Sequence, residues 1–254
     1  MRLGFLGTGN MASALARGIG EPALCFDPVE ERAEALAREL GGEAVADPRT
    51  LAERADVVVL GHKPYQLEAA ARELSGAKAI VSILGGVDVS ALRAAYPDRP
   101  VVRLMPNTPV GVGKGVVAVA IEEGAQPSAE ETRVRAEVIA LVERCSTVLE
   151  VPDSRMAAAT AIFGVLPAYV AVWAEATVDA AVRHGFTPDE AGRVVAAGIE
   201  GSAALLRDQG HDTLAVRRAV TSPGGSTARG LRALDQGGLR ETVQDAFDAV
   251  MDVA

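Results

Sequence analysis

Two cysteines, one tryptophan and three lysines are a small share of 254 residues, and each shortage excludes something. Cys25 and Cys145 cannot build a disulfide framework. Both sit among apolar neighbours and read as buried, reduced thiols in a cytoplasmic protein. No Cys or His pair stands at a metal-ligand spacing, so no metal site is expected. Lysine occurs only at Lys63, Lys78 and Lys114, and the other cations are arginines scattered without a block. With a net charge of −9, the chain lacks the basic stripe that nucleic-acid binding requires. Long apolar runs are missing too. Leu3–Leu6 stops at Gly7, and Ala157–Ala174 is interrupted by Gly164 and Pro167. Neither a signal peptide nor a membrane span is expected. What remains is ordinary globular material, 49% apolar and 23% charged, enough for one large domain or two modest ones.

The chain is written in two grammars. Up to residue 151, short apolar strands alternate with amphipathic helices. Strands are expected at Arg2–Leu6, Ala23–Phe26, Asp56–Leu60, Ala79–Leu84, Val101–Met105, Val116–Ile121 and Thr147–Val151. Helices are clearest at Glu30–Leu40 and Ala129–Arg144. That alternation predicts an α/β domain with a parallel sheet. From Pro152 to 254 no strand is evident. Helices are expected at Arg155–Phe163, Pro167–His184, Pro188–Asp208, Thr213–Val220, Thr227–Asp235 and Leu239–Val253, giving an all-α second domain. The Pro167–Ala181 stretch is apolar almost all round, so a second copy of the chain is expected to cover it in a homo-oligomer.

Arg2 to Ile19 reads RLGFLGTGNMASALARGI. A short strand runs into Gly7-Thr8-Gly9-Asn10-Met11-Ala12, and a helical pattern follows. This is the G-x-G-x-x-G/A fingerprint of dinucleotide binding in its proper context. Gly7 makes the tight turn, Gly9 lets a pyrophosphate approach the backbone, and Ala12 allows close helix–strand packing. The helix then offers its free N–H groups to the phosphates. Asp27 ends the second strand, 20 residues after Gly7, where a carboxylate accepts from ribose hydroxyls. A carboxylate there repels a 2′-phosphate and favours NADH over NADPH, while Arg32 nearby is suited to the phosphate.

Three more loops carry candidate chemistry. Gly61-His62-Lys63-Pro64 follows an apolar strand, and Lys63 is placed to meet cofactor or substrate charge. Met105-Pro106-Asn107-Thr108-Pro109 is a proline-stiffened loop after another strand. There Asn107 is expected to hydrogen-bond the nicotinamide amide or the substrate. Thr221-Ser222-Pro223-Gly224-Gly225-Ser226-Thr227 leads into a helix, and its backbone N–H groups form a nest suited to a carboxylate. The alternative for that last loop is an ordinary side-chain-capped helix start.

The whole series resembles the pyrroline-5-carboxylate reductase family. Its segments occur in order: the N-terminal fingerprint, HKP, SILGG at Ser82–Gly86, MPNTP, LPAYV at Leu166–Val170, and VTSPGGSTARGLRALDQGG at Val220–Gly238. The resemblance implies a Rossmann-type domain over 1–151 and a helical dimerisation and substrate domain over 152–254. It implies NADPH or NADH as cofactor, with Gly7 to Ala12, Asp27, Lys63, Pro64 and Asn107 toward it. It implies a homodimer, and in many relatives a decamer of five dimers. It places the substrate carboxylate on Ser222, Gly224, Gly225, Ser226 and Thr227, with Thr227 near the imine nitrogen. Where the family has Ser-Gly-Ser-Gly before Pro-Ala-Tyr, this chain has Phe163-Gly164-Val165-Leu166, a change expected to fall on the pocket floor.

The expected reaction is hydride transfer to a cyclic imine, which asks mainly for orientation. That suits a chain whose three histidines, His62, His184 and His211, do not cluster. His62 alone adjoins a cofactor loop. A β-hydroxyacid dehydrogenase would need a lysine in its second half, and none follows Lys114. Two other readings remain open: a different cyclic imino acid as substrate, and a nucleotide-binding regulatory relative.

Overall fold

The structure, a computed structural model, describes residues 1–124 and 126–251. Contacts divide the chain into two compact units, Met1–Gly164 and Val165–Ala254.

In chain order the first unit runs β1 (Leu3–Leu6), α1 (Asn10–Ile19), β2 (Ala23–Phe26), α2 (Glu30–Leu40), β3 (Glu43–Ala44), α3 (Pro48–Arg54), β4 (Val57–Leu60), α4 (Leu67–Glu73) and β5 (Ile80–Ser82). It continues α5 (Val89–Ala95), β6 (Val101–Pro106), β7 (Gly115–Ile121), α6 (Ala129–Val142), β8 (Ser146–Pro152) and the start of α7 (Met156–Arg183). The strands form one sheet in the order β3-β2-β1-β4-β5-β6-β7-β8. Pairing is parallel from β3 through β6. Side chains alternate across it. Leu3, Phe5, Val57 and Val59 join α1, α2 and α6 in one core, where Leu15, Leu36 and Val138 are buried. Leu6, Val58 and Leu60 join α3, α4 and α5 in the other, with Leu51, Ala70 and Leu92. Period-two strands with an apolar residue at every position demand cover on both faces, and the helices supply it.

The expected parallel sheet is observed with one antiparallel pairing: β7 runs antiparallel to β6, and β8 is parallel to β7. The short loop from Asn107 to Lys114 explains this. A parallel return needs a crossover of a dozen or more residues, whereas an antiparallel pair closes with a short loop. The two-residue strand β3 was not anticipated; it is too short to show a period.

A second correction concerns α7. Two helices were expected, broken around Gly164 and Pro167. The structure carries a single helix through both, Met156–Arg183, with Pro167 inside it. By length and composition alone, this helix is apolar enough to cross a membrane. Its first turns lie under the sheet: Met156, Ala159 and Phe163 are buried with Met105, Ala118 and Val151. The first compact unit therefore runs on to Gly164, past the end of β8 where the strand grammar stops. A polar tie pins the helix entry. Asp153, just before α7, accepts from Arg103 of β6 at 2.6 Å and from the Val89 N–H at 3.0 Å. The Arg103 side chain is 7% exposed and that of Asp153 20%, so the pair is largely, though not wholly, withdrawn from water.

The second unit holds the rest of α7, then α8 (Pro188–Asp208), α9 (Thr213–Ala219), α10 (Ser226–Gln236) and α11 (Leu239–Met251). The last residues of the helix expected over Leu239–Val253 lie outside the described ones. Within this unit the Tyr169 ring packs edge-on to Phe247 at 5.2 Å, and its hydroxyl donates to the Ala246 carbonyl at 3.0 Å. Yet among the described residues of this unit, only Ala191 and Val195 are buried hydrophobics. Val172 is 66% exposed and Trp173 49%. Helices with so little buried area do not offset their own conformational entropy, so this unit requires a covering surface.

Removing one partner of a buried ion pair strands the other. Asp153→Ala is expected to destabilise the chain by about 3 kcal/mol. Denaturant unfolding at fixed protein concentration measures it. Replacing both members, Arg103→Met with Asp153→Ala, recovers part of that loss.

Candidate active site

The site begins with the turn between β1 and α1. Gly7 sits at φ +90°, a conformation that side chains resist. A Cβ there would also lie 2.8 Å from the Gly61 carbonyl carbon, so the turns after β1 and β4 meet backbone to backbone. A Cβ on Gly61 would in turn strike Ala12 Cβ and Gly7 O, each at 2.7 Å. Hydrogen bonds then lock the loop. Gly7 N–H donates to the Phe26 carbonyl at 2.8 Å. Thr8 donates to Asp27 Oδ2 through its N–H at 2.8 Å and its hydroxyl at 3.2 Å. Ser13 Oγ, buried in α1, returns to the Thr8 carbonyl at 2.9 Å. Gly9 is the N-cap of α1 and no side chain caps that helix. The N–H groups of its first turn therefore remain free for an anion.

These free groups face a cavity of 820 Å³ along the C-terminal ends of β1, β2, β4 and β5. Cavities of about 300–1,000 Å³ are the usual size for small-molecule and cofactor sites. Gly7, Gly9, Asn10, Met11, Ala12, Asp27, Lys63 and Pro64, all singled out in the sequence, line it together with Arg32 and His62. Gly9 provides the test of fit. Its backbone is extended, φ −67° and ψ 176°, which any residue adopts. A Cβ there would meet nothing within 4 Å. The fold itself therefore does not require glycine at this position. A phosphate lying on the helix N-terminus does.

Thr8 is buried beneath the loop and is not part of the cavity wall. Asp27 has a role the sequence reading missed. Its Oδ2 holds Thr8 and its Oδ1 accepts from the Val29 N–H at 2.9 Å, so it clamps the turn between β1 and α1. Oδ1, with one bond, keeps lone-pair capacity for a further donor. His62 Nδ1 lies 2.9 Å from the Lys63 carbonyl oxygen, while its Nε2 is buried without a partner. A carbonyl only accepts, so the proton belongs on Nδ1 and Nε2 is a bare acceptor. Burial pushes the His62 pKa below its ordinary value, partly opposed by the Lys63 carbonyl. Ile83, Leu84 and Gly85 complete the wall; they overlap SILGG, but no spacing rule singled them out.

Asn107 is not brought to the cavity wall. It is 5% exposed, and its carboxamide is engaged inside the first unit. Oδ1 accepts from the Val116 N–H at 2.8 Å and Nδ2 donates to the Phe163 carbonyl at 3.1 Å. Phe163 is buried against the sheet, so the bulk that replaces the family's serine fills the core there. Leu166 is 45% exposed.

The Ser222–Thr227 segment lies in the second unit. Gly224 turns at φ +68°, the Gly225 N–H donates to the Ser222 carbonyl at 3.1 Å, and α10 starts with Gly225 as its N-cap. No side chain caps this helix. The ordinary capped start is thereby set aside, and the N–H groups of Ser226 and Thr227 stand free in the first turn.

Two families match the chain. Residues 153–254 match pyrroline-5-carboxylate reductase dimerisation, and residues 2–86 match NADP oxidoreductase, coenzyme F420-dependent. The pyrroline-5-carboxylate reductase of Aquifex aeolicus is 33% identical over 98% of this chain and 94% of its own length. The crystal structures of 1-pyrroline-5-carboxylate reductase from Streptococcus pyogenes include a chain that superposes with a TM-score of 0.85 at 28% identity, covering 99% of this chain and 97% of that one. Plasmodium falciparum pyrroline carboxylate reductase with NADP bound superposes with a TM-score of 0.83 at 26% identity, covering 99% and 96%.

Gly9→Ala is expected to leave the thermal midpoint unchanged while weakening nicotinamide-dinucleotide binding by roughly tenfold or more, about 1.4 kcal/mol. Calorimetric titration beside a melting curve separates the two. His62 generates a pH prediction. Its folded pKa lies below the unfolded one, so the unfolded chain takes the proton first. Its contribution to stability is complete above the unfolded value of about pH 6.5 and is lost as pH falls from there through the lower folded pKa. Unfolding measured at pH 7.5 and pH 5 should show a smaller acid loss in His62→Gln than in the unsubstituted chain.

Proposed function

The chain belongs to the pyrroline-5-carboxylate reductase family, and from that membership we propose that it reduces 1-pyrroline-5-carboxylate to L-proline with NAD(P)H. One observation carries the proposal: a single chain presents two uncapped helix N-termini, each preceded by a glycine turn. The first, at α1, faces a cavity of dinucleotide size. The second, at α10, matches the family's carboxylate segment residue by residue.

When bound, the reduced nicotinamide would supply the hydride that the imine carbon takes up. A protonated imine is already a strong electrophile, so the chain's residues mainly hold and orient. Asn10, Met11 and Ala12 offer N–H groups to the pyrophosphate. Lys63, with Pro64 stiffening its turn, adds positive charge. Ser222, Gly224, Gly225, Ser226 and Thr227 hold the substrate carboxylate. The Thr227 hydroxyl lies near the ring nitrogen in this assignment and donates to the lone pair that develops there as the C=N bond is reduced. A neutral hydroxyl is a weak acid, so its effect is modest.

The finer cofactor reading rests on Asp27. Its charge at the end of β2 opposes a 2′-phosphate, which supports NADH. The second unit, with its uncovered apolar helices and its match to a dimerisation family, supports assembly as a homodimer; the decamer of five dimers rests on the family resemblance alone.

The test follows proline formation and cofactor oxidation together. The chain should convert the imine with NADH in preference to NADPH. Asp27→Asn keeps an acceptor for Thr8 and should shift the preference toward NADPH. Thr227→Ala should lower kcat by about tenfold. An absence of proline with either cofactor sinks the reaction. A clear NADPH preference sinks the Asp27 reading alone, and an unchanged kcat sinks the role of Thr227.

A further inference from the structure

Proline has no N–H to give the carbonyl four residues before it in a helix. In α7 that proline is Pro167, so the carbonyl left without its helical donor is that of Phe163. Phe163 is itself buried, and a buried carbonyl without a partner is costly. The structure supplies the missing donor from outside the helix: Asn107 Nδ2, at 3.1 Å.

The other half of the same carboxamide is equally committed. Asn107 Oδ1 takes the Val116 N–H at 2.8 Å, and the Asn107 N–H reaches the Val116 carbonyl at 3.1 Å. Asn107 is thus fastened to β7 by backbone and side chain and reaches across to α7 with what remains. It stands immediately after β6, the strand next to β5. The cavity follows the strand ends from β2 through β5, with the phosphate loop at β1. A dinucleotide with its adenosine at β2 and its pyrophosphate at β1 directs its nicotinamide toward β4, β5 and the β6 side.

We propose that Asn107 is a positioning residue, which acts by supplying the hydrogen bond that Pro167 removes and so fixes the Phe163–Gly164 turn of α7 against the end of the sheet. The inference deepens the reductase reading and rests on it for its kinetic consequence only. The sequence-based role, a direct bond to nicotinamide or substrate, is replaced. The carboxamide faces the protein, and its work is to hold the helix that a proline would otherwise leave loose at that turn.

The test is a double-mutant cycle between Asn107→Ala and Pro167→Ala, because the second substitution restores the helix's own N–H donor to the Phe163 carbonyl. Asn107→Ala alone should lower kcat by roughly tenfold to a hundredfold, the usual consequence of a misplacement of about 1 Å. The KM for the cofactor and its calorimetric affinity should stay within about twofold, since no ligand contact is lost. Adding Pro167→Ala should recover most of the kcat and the part of the fall in thermal midpoint that comes from the Phe163 carbonyl, leaving the part due to the Val116 N–H. If Asn107→Ala proves too unstable to purify, the cycle is run with Asn107→Ser, which keeps a neutral polar side chain but is too short to bridge the Val116 N–H and the Phe163 carbonyl. Equal losses in the presence and absence of Pro167→Ala overturn the proposal, as does a large loss of cofactor affinity. The melting-curve arm needs no turnover, so non-additivity there supports the tie even if the chain makes no proline. Failure of the reductase reading and failure of the tie are therefore told apart.

Discussion

Two turns that touch with no side chain between them set the terms for the rest of the site. Gly7 after β1 and Gly61 after β4 meet backbone to backbone, and Ala12 fills the remaining space. Because β1 and β4 are neighbours in the sheet, that contact brings the start of α1 down onto the strand ends. The free N–H groups of α1 then point along the row of turns that becomes the cavity wall. A methyl group at either glycine would force the turns apart and carry the helix terminus with them. The clamp from Asp27 to Thr8 and the return bond from Ser13 only make sense once this approach is in place. They satisfy donors and acceptors that the close packing has cut off from water.

The helical half follows a different logic. Its helices are specified by caps and turns: Thr187 and Glu190 form a reciprocal capping box at α8, and Asp212 caps α9. They are barely specified by burial, since the described part of the second unit has so few buried apolar residues. α7 joins the two regimes. Its first turns are core material, pinned through Asp153 to Arg103 and through Asn107 to the Phe163 carbonyl. Beyond Gly164 the same helix presents Val172 and Trp173 to solvent. A proline at the changeover leaves one carbonyl free, and the sheet domain binds it.

The sheet strands and most helices were legible because their cues are local: apolar runs, helical periods, and glycine and proline punctuation. The fingerprint was legible for the same reason, since its residues form one continuous turn. The antiparallel β7 was not, because strand direction depends on connection length and not on the residues of the strand. The continuity of α7 was missed because Gly164 and Pro167 look like breakers. The energy that overrides them is tertiary, from Phe163 packing and the Asn107 bond. The engagement of Asn107 inside the fold was hidden for a related reason. An amide in a stiff loop after a strand looks ready for a ligand, and only the three-dimensional partner of the Phe163 carbonyl shows where it is used. Partners 56 residues apart in sequence leave no local trace.

Asp27 shows why a site residue need not carry a single meaning. A carboxylate at the end of β2 is read from sequence as a ribose acceptor and a barrier to a 2′-phosphate. In the fold it is also the acceptor for Thr8 and Val29. The two uses share the same atoms but not the same requirement. Clamping the loop asks for hydrogen-bond acceptors, which a neutral amide partly supplies. Excluding a phosphate asks for charge, which an amide lacks. Cofactor preference and loop geometry are thus separable at this position, provided the acceptor remains. A residue with no acceptor would confound them, since the Thr8 N–H would lose its partner at the same moment that the charge disappears.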